Sequence, residues 1–304
     1  MDVVSDAISA VRLGQPSFTR VGADGTWCVR REPYVGAGVA VVLKGGCWLL
    51  PDGDEPRSLG VGDVVLLPHG AGHVLADSPV APAAARKKAV PFERWLGGAR
   101  PAHGETELLC GRYRLDCSRL HPLIAELPGV VHLPNRVGEH LELRAVLDLL
   151  AGELDERRPG SCVALPSLLD LLLVYVIRSW LAGTTGGAWP RVLGDPVTAA
   201  ALRALHTNPA EPWTTERLAK AARVSRPTLA RRFTALVGRP PMAYLTWWRL
   251  TLAATLLRDT PDTLAAIAGR VGYGSPYAFS HAFEREFGIT PGRFRARIAE
   301  RSRG

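Results

Sequence analysis

Ile267-Ala-Gly-Arg-Val-Gly-Tyr-Gly-Ser-Pro-Tyr-Ala-Phe-Ser-His-Ala-Phe-Glu-Arg-Glu-Phe-Gly-Ile-Thr-Pro-Gly-Arg-Phe-Arg295 is one half of an internal repeat. Ser275, Phe283, Gly288 and Pro291 match Ser225, Phe233, Gly238 and Pro241 at an offset of 50. Ile267 and Ala268 match Leu218 and Ala219 at 49, so the second unit has one more residue in its turn. Each unit reads as a short helix, a tight turn and a longer helix.

The residues at the ends fit that reading. Thr214 and Thr263 suit N-caps of the short helices, and Ser225 and Ser275 those of the long ones. Pro227 and Pro276 fall in first turns, where no N–H is needed. Gly238 and Gly288 stand where a left-handed residue ends each long helix. Phe279, Phe283 and Phe287 make one inward stripe, leaving Tyr277, Ser280, His281 and Glu284 on other faces. Leu229, Phe233 and Leu236 turn inward in the first unit, which leaves Arg226, Thr228, Arg231 and Arg232 outward, residue types that read bases and hold phosphates. Between the units, Pro241 to Arg258 forms a connecting helix with Leu245, Trp248, Leu252 and Leu256 on its inner side. Two recognition helices on one rigid connector suit successive major grooves of double-stranded DNA, roughly 34 Å apart.

Charge agrees. Residues 1–194 carry 20 Lys+Arg against 21 Asp+Glu, and residues 195–304 carry 17 against 8, net charges of −1 and +9. A near-neutral body with a basic final third suits a polyanion held by one domain. The acidic Met1–Ala10 segment lacks the pattern of a signal peptide, and the apolar run Ala164–Leu181 is broken by Asp170 and Arg178, so the expectation is a cytoplasmic protein with no membrane partner. Five cysteines without a CxxC pair argue against a disulfide framework and a zinc site.

On the stretch quoted above, Thr214–Arg295 resembles the DNA-binding domain of the AraC/XylS family of transcription regulators. The resemblance places base contacts on Arg226, Pro227, Thr228 and Arg231 in the first unit and on Pro276, Tyr277, Ser280 and His281 in the second. Arg232, Ser275 and Arg285 complete the expected DNA-binding set. Two residues depart from the family pattern. Arg223 stands where the family has glycine in the first turn, so a strained or looser turn is expected, and Pro227 occupies a usual contact position.

The first part of the chain reads differently. Short apolar segments at Gly38–Leu43, Cys47–Leu50, Val64–Leu67 and Glu107–Leu115, separated by turn residues, suit a small β-barrel. Ser78–Glu105 lacks periodicity and reads as a mobile loop. Gly62-Asp-Val-Val-Leu-Leu-Pro-His-Gly-Ala-Gly-His73 resembles the second motif of cupins, and the layout is similar to the cupin-type sensor region of AraC relatives. The fold class is α+β and multidomain: a cupin-like barrel (double-stranded β-helix) at 1–134, a helical hairpin at 135–183, a linker at 184–194, and an all-α domain with two helix-turn-helix units at 195–304. The apolar hairpin suits either a homodimer interface or packing on the barrel.

In metal-dependent cupins the first motif brings a His-x-His pair and a Glu, but Tyr34–Trp48 contains no histidine. His69 and His73 alone make a poor metal set, so neither metal nor other cofactor is expected, and a cupin enzyme fused to a DNA-binding domain is the less favoured reading. A structural nucleoid protein would not need a barrel. Two signals stay open: a small-molecule effector contacted by Trp27, Tyr34, Trp48 and His73, or an oxidant acting on Cys28 and Cys110, with Cys47 and Cys117 also in this region. The resemblance implies an activator that contacts RNA polymerase, and a repressor using the same domain remains the alternative.

Overall fold

The computed structural model describes all residues except 1–2, 12–14, 80, 98–103, 116–120, 157–158, 185–186 and 302–304. Two compact units result: Val11–Thr184, and Met1–Ala10 together with Thr185–Gly304. Helix α1 (Val3–Val11) opens the chain. There follow β1 (Ser17–Ala23), β2 (Cys28–Arg31), β3 (Ala37–Lys44), β4 (Gly46–Pro51), β5 (Arg57–Gly60), β6 (Val64–Leu67), β7 (His73–Ala76), α2 (Pro82–Lys88), β8 (Val90–Pro91), α3 (Phe92–Gly97), β9 (Thr106–Tyr113), α4 (Pro122–Ala125) and β10 (Val131–Leu133).

The strands form two sheets, ordered β1-β9-β3-β6-β10 and β5-β4-β7-β2-β8. Every pairing is antiparallel except β2 with β8. Side chains alternate across each strand, so Val21, Val42, Val65, Leu67 and Leu108 of one sheet meet Val29, Cys47, Leu49, Leu59 and Leu75 of the other in one core. Val64–Leu67 is apolar on both faces because both faces are covered. Asp63, from the cupin-like stretch, accepts from the Gly60 and Asn135 N–H groups at 3.0 and 2.7 Å and meets His132 Nε2 at 3.1 Å, which ties the turn before β6 to β10.

Ser78–Glu105 is not a loop throughout. It contains α2, β8 and α3, although part of it lies outside the described residues. Phe92 and Trp95 are buried in the barrel core, and Trp95 stacks on Trp27 with centroids 6.0 Å apart. Two helices of seven and six residues are too short to register as a period, yet Ala85 packs α2 against Leu50, Val74 and Ala76, and the aromatic side chains of α3 secure it to the core.

Helices α5 (Leu141–Glu156) and α6 (Ser161–Gly183) belong to the same compact unit as the barrel. The Tyr113 hydroxyl donates to the Leu169 carbonyl at 2.5 Å, and Leu169 covers Gly111 on the outer face of β9. Arg20 of β1 joins Glu107 of β9, at 2.5 Å, to Asp155 of α5. By length and composition α6 could cross a membrane, but Leu165, Leu169, Leu172, Leu173, Val176 and Ile177 are buried within the unit. Leu141, Leu149, Val163 and Leu171 remain exposed.

The helical unit continues with α7 (Ala188–Gly194), α8 (Pro196–Thr207), α9 (Thr215–Ala221), α10 (Arg226–Val237), α11 (Pro241–Asp259), α12 (Leu264–Arg270), α13 (Pro276–Phe287) and α14 (Pro291–Arg301). Residues 188–194 are therefore helix rather than linker: α7 packs on α8 and α10 through buried Trp189 and Val192. Residues 1–10 also depart from expectation, since α1 joins this unit rather than the barrel. Its Asp6 carboxylate accepts from His206 Nδ1 at 2.8 Å, and His206 Nε2 meets the Tyr244 hydroxyl at 2.8 Å. Asp6 and His206 are both buried, and His206 stacks on Trp248 at 4.3 Å between centroids. Burial without good partners would cost both groups several kcal/mol, so these contacts fix α1, α8 and α11 together.

Two measurements check this fold. Trp95→Ala is expected to destabilise the barrel unit by about 3–5 kcal/mol in urea unfolding, whereas a loosely attached segment would give almost no change. Asp6→Ala, which removes the carboxylate from His206, is expected to destabilise the helical unit by about 1–3 kcal/mol.

Candidate DNA interface and barrel cavity

The two helix-turn-helix units are built with the same hydrogen bonds. The Thr214, Ser225, Thr263 and Ser275 side chains accept from the N–H groups of Arg217, Thr228, Ala266 and Ala278 at 3.2, 3.4, 3.2 and 3.1 Å. Gly238 and Gly288 end α10 and α13 in the left-handed conformation, at φ 77° and 71°. In the first turn Val224 N–H donates to Ala219 O at 3.0 Å, and in the second Tyr273 N–H donates to Ala268 O at 2.8 Å. Arg223 takes φ 56°, as Gly272 takes φ 84°. The arginine has not loosened the turn; it is held in the glycine conformation. At Gly272 a Cβ would lie 2.8 Å from backbone atoms of Ala210, so glycine there answers a close approach as well.

Both long helices bury one side and expose the other. Leu229 and Phe233 are fully buried in α10, and Leu236 partly so. In α13, Phe279 and Phe283 are buried and Phe287 stacks on Phe283 at 4.1 Å. Of the residues expected at DNA, Arg226, Pro227, Arg231, Arg232, Pro276, Tyr277, His281 and Arg285 are exposed, Tyr277 by 81%. The others are engaged or half-covered. The Thr228 hydroxyl bonds the Ser225 hydroxyl at 2.8 Å, and Ser275 and Ser280 are half-buried. Arg226 pairs with Glu216 at 2.8 Å, and Arg232 reaches Asp195 at the N-cap of α8 at 3.5 Å. Arg232, itself exposed, reaches the body of its own unit, whereas among the described residues no ion pair engages Arg231.

The connector α11 serves both units. Tyr244, Leu245 and Trp248 are buried near its start, with Phe233 and Tyr244 centroids 5.7 Å apart, and Leu250, Ala253 and Leu257 join the core of α12 and α13.

In the barrel unit, a cavity of about 20 Å³ is lined by Arg31, Tyr34, Val39, Leu67, His73 and Cys110, among others. Tyr34 and His73 are there as expected. Trp27 and Trp48 are not: Trp27 is core beneath Trp95, and Trp48 packs on the outer face with Leu50, Val74 and Ala76. Arg31 and Phe92 were missed, although adjacent arginines on one strand must point opposite ways. A Cβ at Gly38 would overlap the Tyr34 hydroxyl, so that glycine makes room for it. His73 Nδ1 donates to the Ala71 carbonyl at 3.0 Å, and burial pushes its pKa down to about 4. His69 Nε2 instead meets the Leu127 carbonyl at 2.8 Å.

These residues do not suit a cupin metal. One histidine faces the cavity opposite a guanidinium, and among the described residues no three His, Cys, Asp or Glu side chains gather to hold an ion. Nor do the thiols suit a thiolate switch. Cys28 faces outward beside the Ala85 carbonyl and Cys110 faces inward, so they lie on opposite sides of the barrel wall. Burial raises the pKa of Cys28, and pushes Cys110 to about 11 and Cys47 to about 12. Cys117 lies outside the described residues.

A helical unit with two capped, outward-facing recognition helices on one connector, in the same chain as a two-sheet barrel, defines a class: DNA-binding transcription regulators with a separate N-terminal domain. Comparison with known proteins agrees. Residues 2–182 match a family described as cupin, and residues 218–297 match a helix-turn-helix domain family. A putative AraC-like transcription regulator of Streptomyces lividans is 37% identical over 301 residues, 97% of this chain and 98% of its own. The HTH-type transcriptional regulator MtrA of Neisseria gonorrhoeae is 28% identical over 310 residues, covering 97% and 98%. A solved structure, the DNA-binding domain of AdpA in complex with a target DNA, is 34% identical and covers 36% of this chain and 99% of its own, with a TM-score of 0.34. The chain belongs to the AraC/XylS family of DNA-binding transcription regulators and carries an N-terminal cupin domain.

The cost of the left-handed arginine is measurable. Arg223→Gly should stabilise the helical unit by about 0.5–1 kcal/mol, the relieved strain exceeding the chain entropy that glycine adds, and urea unfolding would read it as a higher midpoint.

Proposed function

We propose that this protein is a cytoplasmic, sequence-specific activator that reads DNA through α10 and α13 under control of a signal received in its barrel. The observation that carries it is the pair of recognition helices, capped alike and joined by one buried connector, whose exposed faces hold Arg231 on one and Tyr277 and His281 on the other. Arg231 suits a guanine edge, and His281 and Tyr277 suit bases or adjacent phosphates. Arg226, set by Glu216, and Arg285 suit the backbone.

The barrel serves as sensor rather than enzyme in this reading. Its cavity wall of Arg31, Tyr34 and a neutral His73 supports ligand binding and offers neither a metal set nor an activated nucleophile. A small-molecule effector is favoured over an oxidant because Cys28, Cys47 and Cys110 are all held toward the thiol form. RNA polymerase is the partner through which activation would act. Exposed Leu141, Leu149, Val163 and Leu171 on the α5–α6 hairpin support a homodimer, which sedimentation of the full chain would test.

Footprinting of the full-length protein on DNA upstream of its own gene, reduced and oxidised, tests the central reading. Protection of about two helical turns per protomer supports the bipartite reader, and uniform low-affinity coating would instead support a nucleoid protein. Arg231→Ala and His281→Ala are each expected to cost about 1–3 kcal/mol on the cognate site and much less on random DNA. Equal losses on both would exclude base reading by that residue.

A further inference from the structure

We propose that Glu284 makes α13 a reader of one cytosine, its carboxylate accepting from the exocyclic amine of that base in the major groove. This rests on the reading of α13 as a recognition helix and adds the one exposed acid of that helix to its base-reading set. Glu284 lies seven residues after Tyr277 and three after His281, on the stripe opposite buried Phe279 and Phe283. It stands about 4.5 Å farther along the helix axis than His281, so it meets a neighbouring base pair. Among the described residues no cation pairs with it.

The two recognition helices differ in charge. Helix α10 carries Arg226, Arg231 and Arg232 and no acid, a net +3, whereas α13 carries Arg285 against Glu284 and half-buried Glu286, a net −1. At the offset of 50, neutral Thr234 holds in α10 the position that Glu284 holds in α13, so a helix-turn-helix unit does not need an acid there to fold. Helix α10 therefore supplies the grip on phosphates. A carboxylate brought among phosphates weakens binding to every sequence, and only a base that donates to it offsets that loss.

Chemistry narrows the base. An ionised carboxylate only accepts hydrogen bonds, and the major groove offers it two donors, the N4 amine of cytosine and the N6 amine of adenine. Guanine O6 and N7, adenine N7 and thymine O4 are acceptors and repel it. Adenine sets N7 beside its amine, so a carboxylate there meets attraction and repulsion together, whereas cytosine presents the amine alone. Cytosine is the base that Glu284 rewards, and the acid discriminates as much by what it rejects as by what it binds.

The test is selection from a randomised double-stranded DNA library by the full-length protein, followed by competition binding on the selected site. The unaltered chain is expected to enrich cytosine at one position, next to the position that His281→Ala relaxes. Glu284→Ala should abolish that enrichment, leave the positions read by α10 unchanged and bind random DNA roughly twofold tighter or more. Glu284→Gln should move the preference from cytosine to adenine, because an amide donates to N7 while accepting from N6. In competition, thymine in place of the selected cytosine should weaken the unaltered chain by about fivefold or more, and Glu284→Ala by less than about twofold. Unchanged preferences in both variants, or a selected site without such a cytosine, would overturn the proposal and leave the carboxylate as plain repulsion of phosphate. Relaxed preference at every position would also overturn it, marking Glu284 as structural. If the unaltered chain selects no sequence at all, the reading of α13 as a recognition helix falls with the proposal, so the two failures are distinct.

Discussion

His206 holds the helical unit in register. Its ring lies between Asp6 and Tyr244 and against Trp248, so one buried side chain joins α1, α8 and α11. Because α11 then continues into the core of α12 and α13, the orientation of the second helix-turn-helix unit is inherited from the packing of the first. A DNA reader with two heads needs that transmission. A wobbling connector would add an ordering-entropy cost to every binding event. Hydrogen bonds at both ring nitrogens and a stacked indole specify position more sharply than aliphatic packing does.

The barrel obeys a different constraint, the strict alternation of side chains along a strand. In β2 it sends Val29 and Arg31 inward and Cys28 and Arg30 outward. That places one arginine against Asp52 and the other in the cavity, and separates Cys28 from Cys110 by the thickness of a sheet. Burial then decides the chemistry of what faces inward: it keeps His73 neutral and raises the Cys110 thiol despite Arg31 nearby. The architecture of a cupin survives here, and among the described residues no three His, Cys, Asp or Glu side chains gather in it.

Much of the helical unit was legible because its signals are local. Caps, C-terminal glycines, the phenylalanine stripe and the repeat each lie within one or two turns of helix, and Arg223 announced its strain by standing at a glycine position. The failures share a cause. The short helices α2, α3 and α7 have too few residues to show a period, and each is held by a large side chain or an alanine face meeting a distant partner: Trp95 on Trp27, Trp189 in the helical unit, Ala85 near Val74. Trp27 and Trp48 looked like ligand residues because tryptophan suits both a binding wall and a core, and only the neighbours decide which.

The sequence by itself determined that there are two helix-turn-helix units on one connector, that the basic charge belongs to them, and that strands precede them. Those properties follow from repeat spacing, backbone preference and charge, none of which requires distant contacts. Tertiary structure alone decided that α1 closes on the helical unit through Asp6, that exposed Arg232 reaches Asp195, and that Arg31 enters the cavity. Each of these depends on residues far apart in the chain, 200 positions for Asp6 and His206, being brought within a few ångströms. Local chemistry cannot encode that meeting; the free energy of packing the whole unit selects it.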